Sequence, residues 1–567
     1  MQRFLILPDT VNRLNGLILA LCLVSIGARA DEDATAEMPS AASMQPTDIT
    51  PALDPAKIEA SGAVIGEITI VSHDVFDLNN PLENKWLYRL ANKLHIVTKP
   101  KTINTQLLFA EGDPYSARLG EESERLLRRN AYLVEAEIKP VRYEEGVVDV
   151  EVATKDVWTL APNVSFGRRG GENSFTLGLR EQNLLGRGIR LGAKYSSSVD
   201  RDTFSVLYRD NNFLHRRYQL VGNIARSDDG FSHHFAFGKP FYALDRRRAG
   251  GVLFSDGEQI DQLYDRGEIV AEFQSRFKFH EASLGWSPGL RNGWVRRYTA
   301  GIAYSQNEFA ETPDNMLPVM VLPEDREYLY PFIGFELLED HYETTVNFDQ
   351  IHQTEDRFLG NWLNFRLGYS SESAGSSNDA WHYTAGYGNA LITTRKTSLT
   401  FAAHLSGRHE DGAPQNALLS GVMRFHRRLG KRNLFYASLS GTAGENLDLD
   451  NPLYLGGETG LRGYPLRYQN GDSKALLTLE HRFFTNWYPF RLVRVGAAIF
   501  FDAGRTWGES PVGAPNLGIL KDVGIGLRLG NARAANTPVV HIDLAFPLDG
   551  DDDIDSVQIL VKTRRSF

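Results

Sequence analysis

The sequence predicts a transmembrane β-barrel preceded by a small α+β domain. Short runs of alternating apolar and polar residues recur from about residue 159 to the C-terminus, as at Phe175, Leu177 and Leu179. The composition, with Gly 51, Tyr 22 and Phe 31, is typical of many short strands with aromatic ends. A strand with one apolar and one small polar face is the pattern of a barrel with lipid outside and water inside.

The first 30 residues have the three parts of a secretory signal peptide. Arg3 and Arg13 precede an apolar run at 14–26, and a small-residue site ends at Ala30. We expect the exported chain to start near Asp31 and to contain no disulfide, because the only cysteine, Cys22, lies in the apolar run. Cleavage before Cys22, as in a lipoprotein, is the less favoured alternative.

Hydropathy and charge exclude two other classes. After residue 23 no run of ~18 apolar residues occurs, whereas a spanning helix needs about 20, so a membrane span requires a closed barrel. The net charge of −10 comes without a basic stripe, which argues against a nucleic-acid partner.

Two segments precede the predicted barrel. Residues 31–62 are mostly Ala, Ser, Pro, Thr and Asp, and we expect a disordered spacer. Residues 63–158 read as a strand, helical stretches and a pair of strands, which predicts a compact α+β unit.

The barrel itself is predicted for residues 159–567. A strand of ~10 residues with its connection takes about 25 residues in such barrels, which predicts about sixteen antiparallel strands. A soluble array of β-sheets would show the same alternation, but would not account for the aromatic C-terminus, Phe567.

A Gly-rich stretch at 455–465 predicts a loop that is fastened to the barrel wall. On the following strands, alternate residues share a face, so we expect the carboxylates to point into the lumen beside the arginine. The guanidinium makes paired hydrogen bonds to carboxylates, which lysine cannot reproduce. A cluster that only rigidifies the barrel is the alternative. The residues of this predicted latch are Arg462, Gly463, Tyr464, Glu480, Arg482, Asp502 and Gly504.

These motifs, in this order, resemble the BamA/TamA superfamily of outer-membrane assembly and secretion barrels. Residues 107–115 and 126–134 resemble a POTRA domain, the periplasmic module before such barrels, although another α+β fold is an open alternative. Residues 461–464 resemble the tip of the family's sixth extracellular loop, Glu480 and Arg482 its twelfth-strand pair, and residues 501–504 its thirteenth-strand motif. A periplasmic turn after the second strand is matched by Asn183, Leu184, Gly186 and Gly188.

The seam between the first and last barrel strands is the second candidate site. Pro162 cannot donate a ladder hydrogen bond, and Thr563 and Arg565 replace the apolar residues expected near Phe567. In the resembling family the seam is proposed to open sideways and accept an incoming strand. A short or kinked strand end is the alternative reading.

The resemblance implies insertion or translocation of polypeptides at the outer membrane of a Gram-negative bacterium, with the POTRA-like domain in the periplasm. The expected partners are unfolded outer-membrane or secreted polypeptides, outer-membrane lipid and lipopolysaccharide, and periplasmic accessory proteins. The alternatives are a two-partner-secretion-like exporter of a dedicated passenger and a lipid-handling or porin-like barrel. Because local nucleophile, zinc and phosphate-binding motifs are missing, we expect no enzyme activity, no cofactor and no metal.

Overall fold

The computed structural model describes residues 53–81, 83–312, 322–346, 354–489, 493–531, 539–550 and 554–564. The predicted signal peptide, most of the predicted spacer and Phe567 lie outside these ranges. Within them, no helix is long and apolar enough to cross a membrane.

The N-terminal unit is a three-stranded sheet covered by helices. The sheet order is β1-β3-β2, with β1 parallel to β3 and β2 antiparallel to it. Its core joins side chains from strand and helix, such as Val150, Leu133, Ile103 and Leu127. The elements are α1 Pro55–Ala60, β1 Val64–His73, α2 Trp86–Leu94, α3 Pro100–Asn104, α4 Ala117–Arg128, β2 Leu133–Glu144 and β3 Val147–Asp156.

The described part of the predicted spacer is ordered, so that boundary is wrong at its C-terminal end. Asp54 caps helix α1, its side chain accepting a hydrogen bond from Ala56 N at 3.1 Å. Ile58 is buried in the core of the N-terminal unit. Leu53 packs on the same core, and Glu59 accepts hydrogen bonds from Ser116 Oγ at 3.0 Å and Ala117 N at 3.2 Å, so this short helix is fastened to the domain by apolar and polar contacts.

The prediction of a closed all-β barrel is confirmed, whereas the predicted number of about sixteen strands is wrong. Twenty antiparallel strands close the ring. Several connections are two-residue turns, such as Arg266-Gly267, so strand and connection average about 20 residues instead of 25. The strands are β4 Leu160–Arg169, β5 Glu172–Leu184, β6 Ile189–Ser197, β7 Asp202–Phe213, β8 Tyr218–Ser227, β9 Phe231–Lys239, β10 Arg248–Asp265, β11 Glu268–Trp286, β13 Trp294–Ala310, β14 Arg326–Glu339, β17 Trp362–Ser370, β18 Ala380–Thr393, β19 Thr397–Glu410, β20 Ala413–Arg428, β21 Asn433–Glu445, β24 Ser473–Phe484, β25 Val493–Trp507, β26 Leu520–Asn531, β27 Val539–Pro547 and β28 Gln558–Arg564.

Five short strands complete the list. Strand β12, Leu290–Arg291, lies in the connection between β11 and β13. Strands β15, Tyr342–Val346, and β16, Thr354–Phe358, form a separate hairpin, as do β22, Leu453–Leu455, and β23, Gln469–Gly471.

An apolar belt surrounds the barrel. Alternate residues of neighbouring strands point outward and are exposed, and they are mostly large and apolar. Closure leaves the sheet without a free edge, and an apolar outer face belongs against hydrocarbon, so this is a membrane-spanning barrel. Representative belt residues are Leu177, Leu179, Phe204, Ile224, Leu284, Ile333, Leu419, Leu439, Ile499, Ile525 and Ile559.

The N-terminal unit is docked on the turns at one end of the barrel through helix α4. The Glu122 carboxylate accepts a hydrogen bond from Leu244 N at 2.8 Å. Arg128 makes two bonds of 2.9 Å to the carboxylate of Asp356 in the β15–β16 hairpin. Because the first barrel strand also begins four residues after β3, the domain is held both covalently and by these contacts.

A buried carboxyl group lies at this junction. Asp156, the last residue of β3, accepts hydrogen bonds from Thr98 N at 2.7 Å and Thr98 Oγ1 at 2.8 Å. His95 Nε2 lies 3.6 Å from the same carboxylate oxygen, and His95 Nδ1 lies 2.9 Å from Asp74. Burial is the main cause that raises the pKa of Asp156 to about 6.

We predict that this carboxyl group makes the N-terminal unit lose stability as the pH rises from about 4 to about 6. In that window the folded chain retains a proton that the unfolded chain, with an ordinary pKa of 3.8, has released. Asp156→Asn should remove this slope, measured by hydrogen exchange of the Thr98 region in the detergent-solubilised protein. Glu135→Gln, at an exposed carboxylate of β2, is the control. An equal slope in wild type and Asp156→Asn would contradict the assignment.

Candidate functional site

The loop at 446–472 connects β21 to β24 and folds into the barrel. Its tip is buried: Leu461 and Tyr464 are both 0% exposed, and they pack with Leu455, Tyr468 and Leu520. Because the ring has twenty strands, this is the eighth loop at its end of the barrel, not the sixth. The strand numbers implied by the resemblance, the twelfth for Glu480 and Arg482 and the thirteenth for residues 501–504, are too low for the same reason.

Arg462 at the loop tip binds carboxylates on two neighbouring strands. Its Nε and Nη2 donate to the two oxygens of Asp502 at 2.6 and 3.0 Å, and its Nη1 donates to Glu480 at 2.8 Å. The guanidinium also lies 3.4 Å from the centre of the Phe500 ring. Arg462 is 1% exposed, so these charge-assisted bonds and the ring replace its hydration.

The strand register shows why the wall needs this arginine. Asp502 of β25 lies directly opposite Asp522 of β26, and both are fully buried on the lumen face. Like charges at opposite positions destabilise a sheet. Arg462 neutralises Asp502, and Gly463 N donates to Asp522 at 3.0 Å. The loop therefore supplies a partner to each of the facing carboxylates.

The bonds around Arg462 extend into a network of charged wall residues. Arg482 Nε donates to Glu480 at 2.9 Å, next to Arg462 on the same carboxylate. Four basic side chains balance four acidic ones in this buried network. Its members are Arg462, Arg482, Arg528, Lys562, Glu480, Asp502, Asp522 and Asp543.

Small residues and Tyr464 fix how deeply the loop enters. A Cβ on Gly463 would come within 2.7 Å of the Asp522 side chain and 3.1 Å of Pro547 N, so only glycine fits against β26 and β27. Gly504 gives similar room to Leu455. The Tyr464 hydroxyl lies 2.8 Å from the carbonyl oxygen of Lys521 and accepts from Lys521 N at 3.1 Å.

The outer part of the loop reaches the opposite wall. Arg467 Nη2 donates to Asp200, in the β6–β7 turn, at 2.6 Å and lies over the ring of Tyr264 on β10. Asn470 Nδ2 donates to Tyr264 O at 2.7 Å. The loop thus crosses the lumen and is bonded on both sides.

The seam between β28 and β4 is joined by little pairing. Among the described residues, only Val561 and Arg168 are in register across it, whereas seven residue pairs join β27 to β28. Pro162 is part of β4 and faces Leu179 of β5 in the register.

The same loop bridges the seam at its outer end. At one side the loop contacts Asp522 and Pro547 through Gly463. At the other, Gly170 in the β4–β5 turn lies so close to the backbone of Pro465 and Leu466 that a Cβ there would clash. The loop therefore contacts both flanks of the weakly paired seam.

The predicted periplasmic-turn residues join the barrel to the N-terminal unit. Asn183 Oδ1 accepts from Gly188 N at 2.6 Å, and its Nδ2 donates to Thr98 Oγ1 at 2.8 Å. Gly186 O accepts from Lys99 N at 3.0 Å. Leu184, at the end of β5, pairs with Ile189 across the turn. The turn thus serves as a docking point for the segment before α3.

Sequence reasoning missed half of the buried network. Asp522 and Arg528 lie on β26, Asp543 on β27 and Lys562 on β28, and none of them belongs to the motifs that carry the resemblance. Arg528 and Asp543 each stand between two apolar residues, as Asp543 does between Ile542 and Leu544, whereas Asp522 and Lys562 have an apolar neighbour on one side only. Charged residues at alternate positions of the last strands were the available signal.

Comparisons with known proteins do not establish a family for this chain. No protein-family model matches the chain, and no curated protein sequence matches it. Similar solved structures include CdiB from Acinetobacter baumannii, 12% identical, TM-score 0.46, covering 89% of this chain and 74% of that one. CdiB from Escherichia coli is 15% identical, with a TM-score of 0.47, covering 88% and 76%. BamA from Haemophilus ducreyi lacking POTRA domains 1–3 is 14% identical, with a TM-score of 0.38, covering 88% and 84%.

These likenesses carry no functional argument, because every TM-score is below 0.5 at such low identity. The function is therefore argued from the residues of the lumen and the seam.

We predict that Arg462→Ala destabilises the barrel by about 3–5 kcal/mol, since it leaves buried carboxylates without their partner. Heat-modifiable migration on gels and thermal unfolding in detergent measure the loss. Arg462→Lys should lose less stability than Arg462→Ala, because lysine restores the positive charge but cannot make the paired bonds of the guanidinium.

The matched control is Arg467→Ala, at a partly solvated ion pair of the same loop, where the loss should be smaller. Equal stability of Arg462→Ala and the wild type would show that the loop is not fastened by this arginine.

Proposed function

We propose that this chain is an outer-membrane barrel of the BamA/TamA superfamily that inserts or translocates polypeptides, without enzymatic chemistry or a cofactor. The observation that carries the proposal is the loop fastened inside the lumen by Arg462, beside a seam with one registered residue pair among the described residues.

The seam supplies the chemistry needed to receive a strand. Once the seam opens, the edge of β4 would offer its main-chain groups to an incoming polypeptide, which is β-augmentation. Pro162 interrupts the donors there. The lateral opening of the seam is therefore the proposed route of insertion, with the loop as the element that controls it.

The N-terminal unit would act as a POTRA-like periplasmic module. Its sheet has two edge strands, β1 and β2, each with one neighbour. Arg128 and Glu124 of α4 bond to Ala136 O and Ile138 N of β2 at 2.8 and 2.7 Å. These side chains occupy that part of β2. On β1, Ile65 N donates to Asp113 O at 2.9 Å and Ile68 N donates to Glu111 at 3.2 Å, so edge pairing with a client is placed on the second half of β1.

A dedicated exporter is the second candidate, and the size of the ring favours it. Barrel diameter grows with strand number, so twenty strands enclose a wider lumen than sixteen. With the loop displaced, an unfolded passenger would have room to pass through the lumen.

Reconstitution in liposomes tests the main proposal. Folding of several unrelated outer-membrane barrels, followed by protease protection, should be faster with this protein than in empty liposomes. The acceleration should be lost in Arg462→Ala. No acceleration of any client would favour the exporter, which large single-channel conductance in planar bilayers would support.

A crosslink across the seam tests the route. We expect Arg168→Cys with Val561→Cys to form a disulfide, because opposite residues of antiparallel strands have the required Cα separation. In a Cys22→Ser background, oxidation should abolish the insertion activity, and reduction should restore it. The control pair is Phe166→Cys with Phe175→Cys, which joins β4 to β5 and leaves the seam free. Full activity of the oxidised seam variant would exclude lateral opening.

A further inference from the structure

Helix α2 exposes an apolar face at the junction of the N-terminal unit and the barrel. Trp86 is 70% exposed, Leu94 is 65% exposed, and Leu87 and Leu90 are exposed with them. At 3.6 residues per turn these four side chains cover about 100° of the helix surface. So much clustered apolar surface marks an interaction site.

The opposite face of the helix is already occupied. Tyr88 is buried and stacks on Phe76 with ring centres 4.4 Å apart. Ala91 and Trp158 pack on the same cluster. The helix packs on the N-terminal unit through this second face. The exposed apolar face is therefore not needed for the core of that unit.

The position of the helix continues the lipid-facing belt of the barrel. Trp158, which packs on the helix cluster, lies two residues before the start of β4. Leu160 at that start is exposed and lies on the same face of β4 as the belt residue Phe166. Beyond the helix, Lys99 is bonded to the β5–β6 turn, where Leu185 is exposed.

The charges beside the apolar face fit a phospholipid surface. Arg89 and Lys93 are exposed and follow one another along one side of the apolar arc, and Lys85 precedes the helix. Basic residues bordering an apolar face with tryptophan are typical of helices that lie in a membrane interface. Such side chains reach anionic head groups while the apolar face enters the acyl boundary.

We propose that α2 lies in the periplasmic leaflet of the membrane as an interfacial anchor, with Trp86, Leu87, Leu90 and Leu94 in lipid and Arg89 and Lys93 at the phosphates. The anchor would fix the N-terminal unit beneath the start of β4. The proposal rests on residues separate from the latch and the seam, so it is independent of the insertion function.

Site-specific fluorescence on the full chain tests the anchor. In a Cys22→Ser background, Leu90→Cys is labelled with an environment-sensitive dye and reconstituted in liposomes of phosphatidylethanolamine and phosphatidylglycerol. We expect blue-shifted emission, quenching by phospholipids with nitroxide on the acyl chain, and loss of quenching by aqueous iodide. The control is Glu145→Cys, in the turn between β2 and β3 at the far end of the sheet. It should be quenched by iodide and not by lipid.

Charge reversal separates a membrane from a protein ligand. Arg89→Glu with Lys93→Glu should reduce lipid quenching of the label at position 90, while heat-modifiable migration shows that the barrel remains folded. Iodide access to position 90 in liposomes, with no lipid quenching, would overturn the proposal. Protection that appeared only after an unfolded barrel polypeptide was added would likewise overturn it and assign the face to a protein.

Discussion

Two aspartates that face each other across neighbouring strands set the main constraint on this barrel. Asp502 and Asp522 are buried on the lumen face in direct register. Two carboxylates in this position repel each other when both are charged, so the wall needs a cation beside Asp502. The cation comes from the loop, as Arg462, and the neighbouring amide of Gly463 completes the second carboxylate. The buried carboxylates of the wall therefore have these partners only while the loop is docked in the lumen.

A buried network of this kind is better suited to fixing one arrangement than to adding stability. Removing charges from water is costly, and well-paired ions barely recover that cost. The paired bonds from the Arg462 guanidinium and the close packing of Gly463 against the wall are both possible at only one depth of the loop in the lumen. The network therefore defines a single docked state of the loop, and any undocked state carries unpaired charges.

The sequence predicted the parts of this structure that depend on local pattern. Strand alternation indicated a barrel, and spacing on β24 and β25 placed Glu480, Arg482 and Asp502 on one face with Arg462 in reach. The strand number could not be obtained in this way, because it depends on loop lengths that alternation does not reveal. Asp543 and Lys562 were missed because they lie two and three strands beyond β25, and they join the network only through lumen-facing side chains of successive strands.

The loop, the seam and the N-terminal unit meet around the same strand, β4. At one end of β4 the loop backbone at Pro465 lies against Gly170. At the other end β4 begins two residues after Trp158, which packs at the domain junction. Among the described residues β4 and β28 share one registered pair, and the loop adds a contact on each side of it. Separation of β4 from β28 would therefore break the loop's contact either with Gly170 or with Asp522 and Pro547. Because the same loop carries Arg462, the proposed opening of the seam would be coupled to the charge network of the lumen.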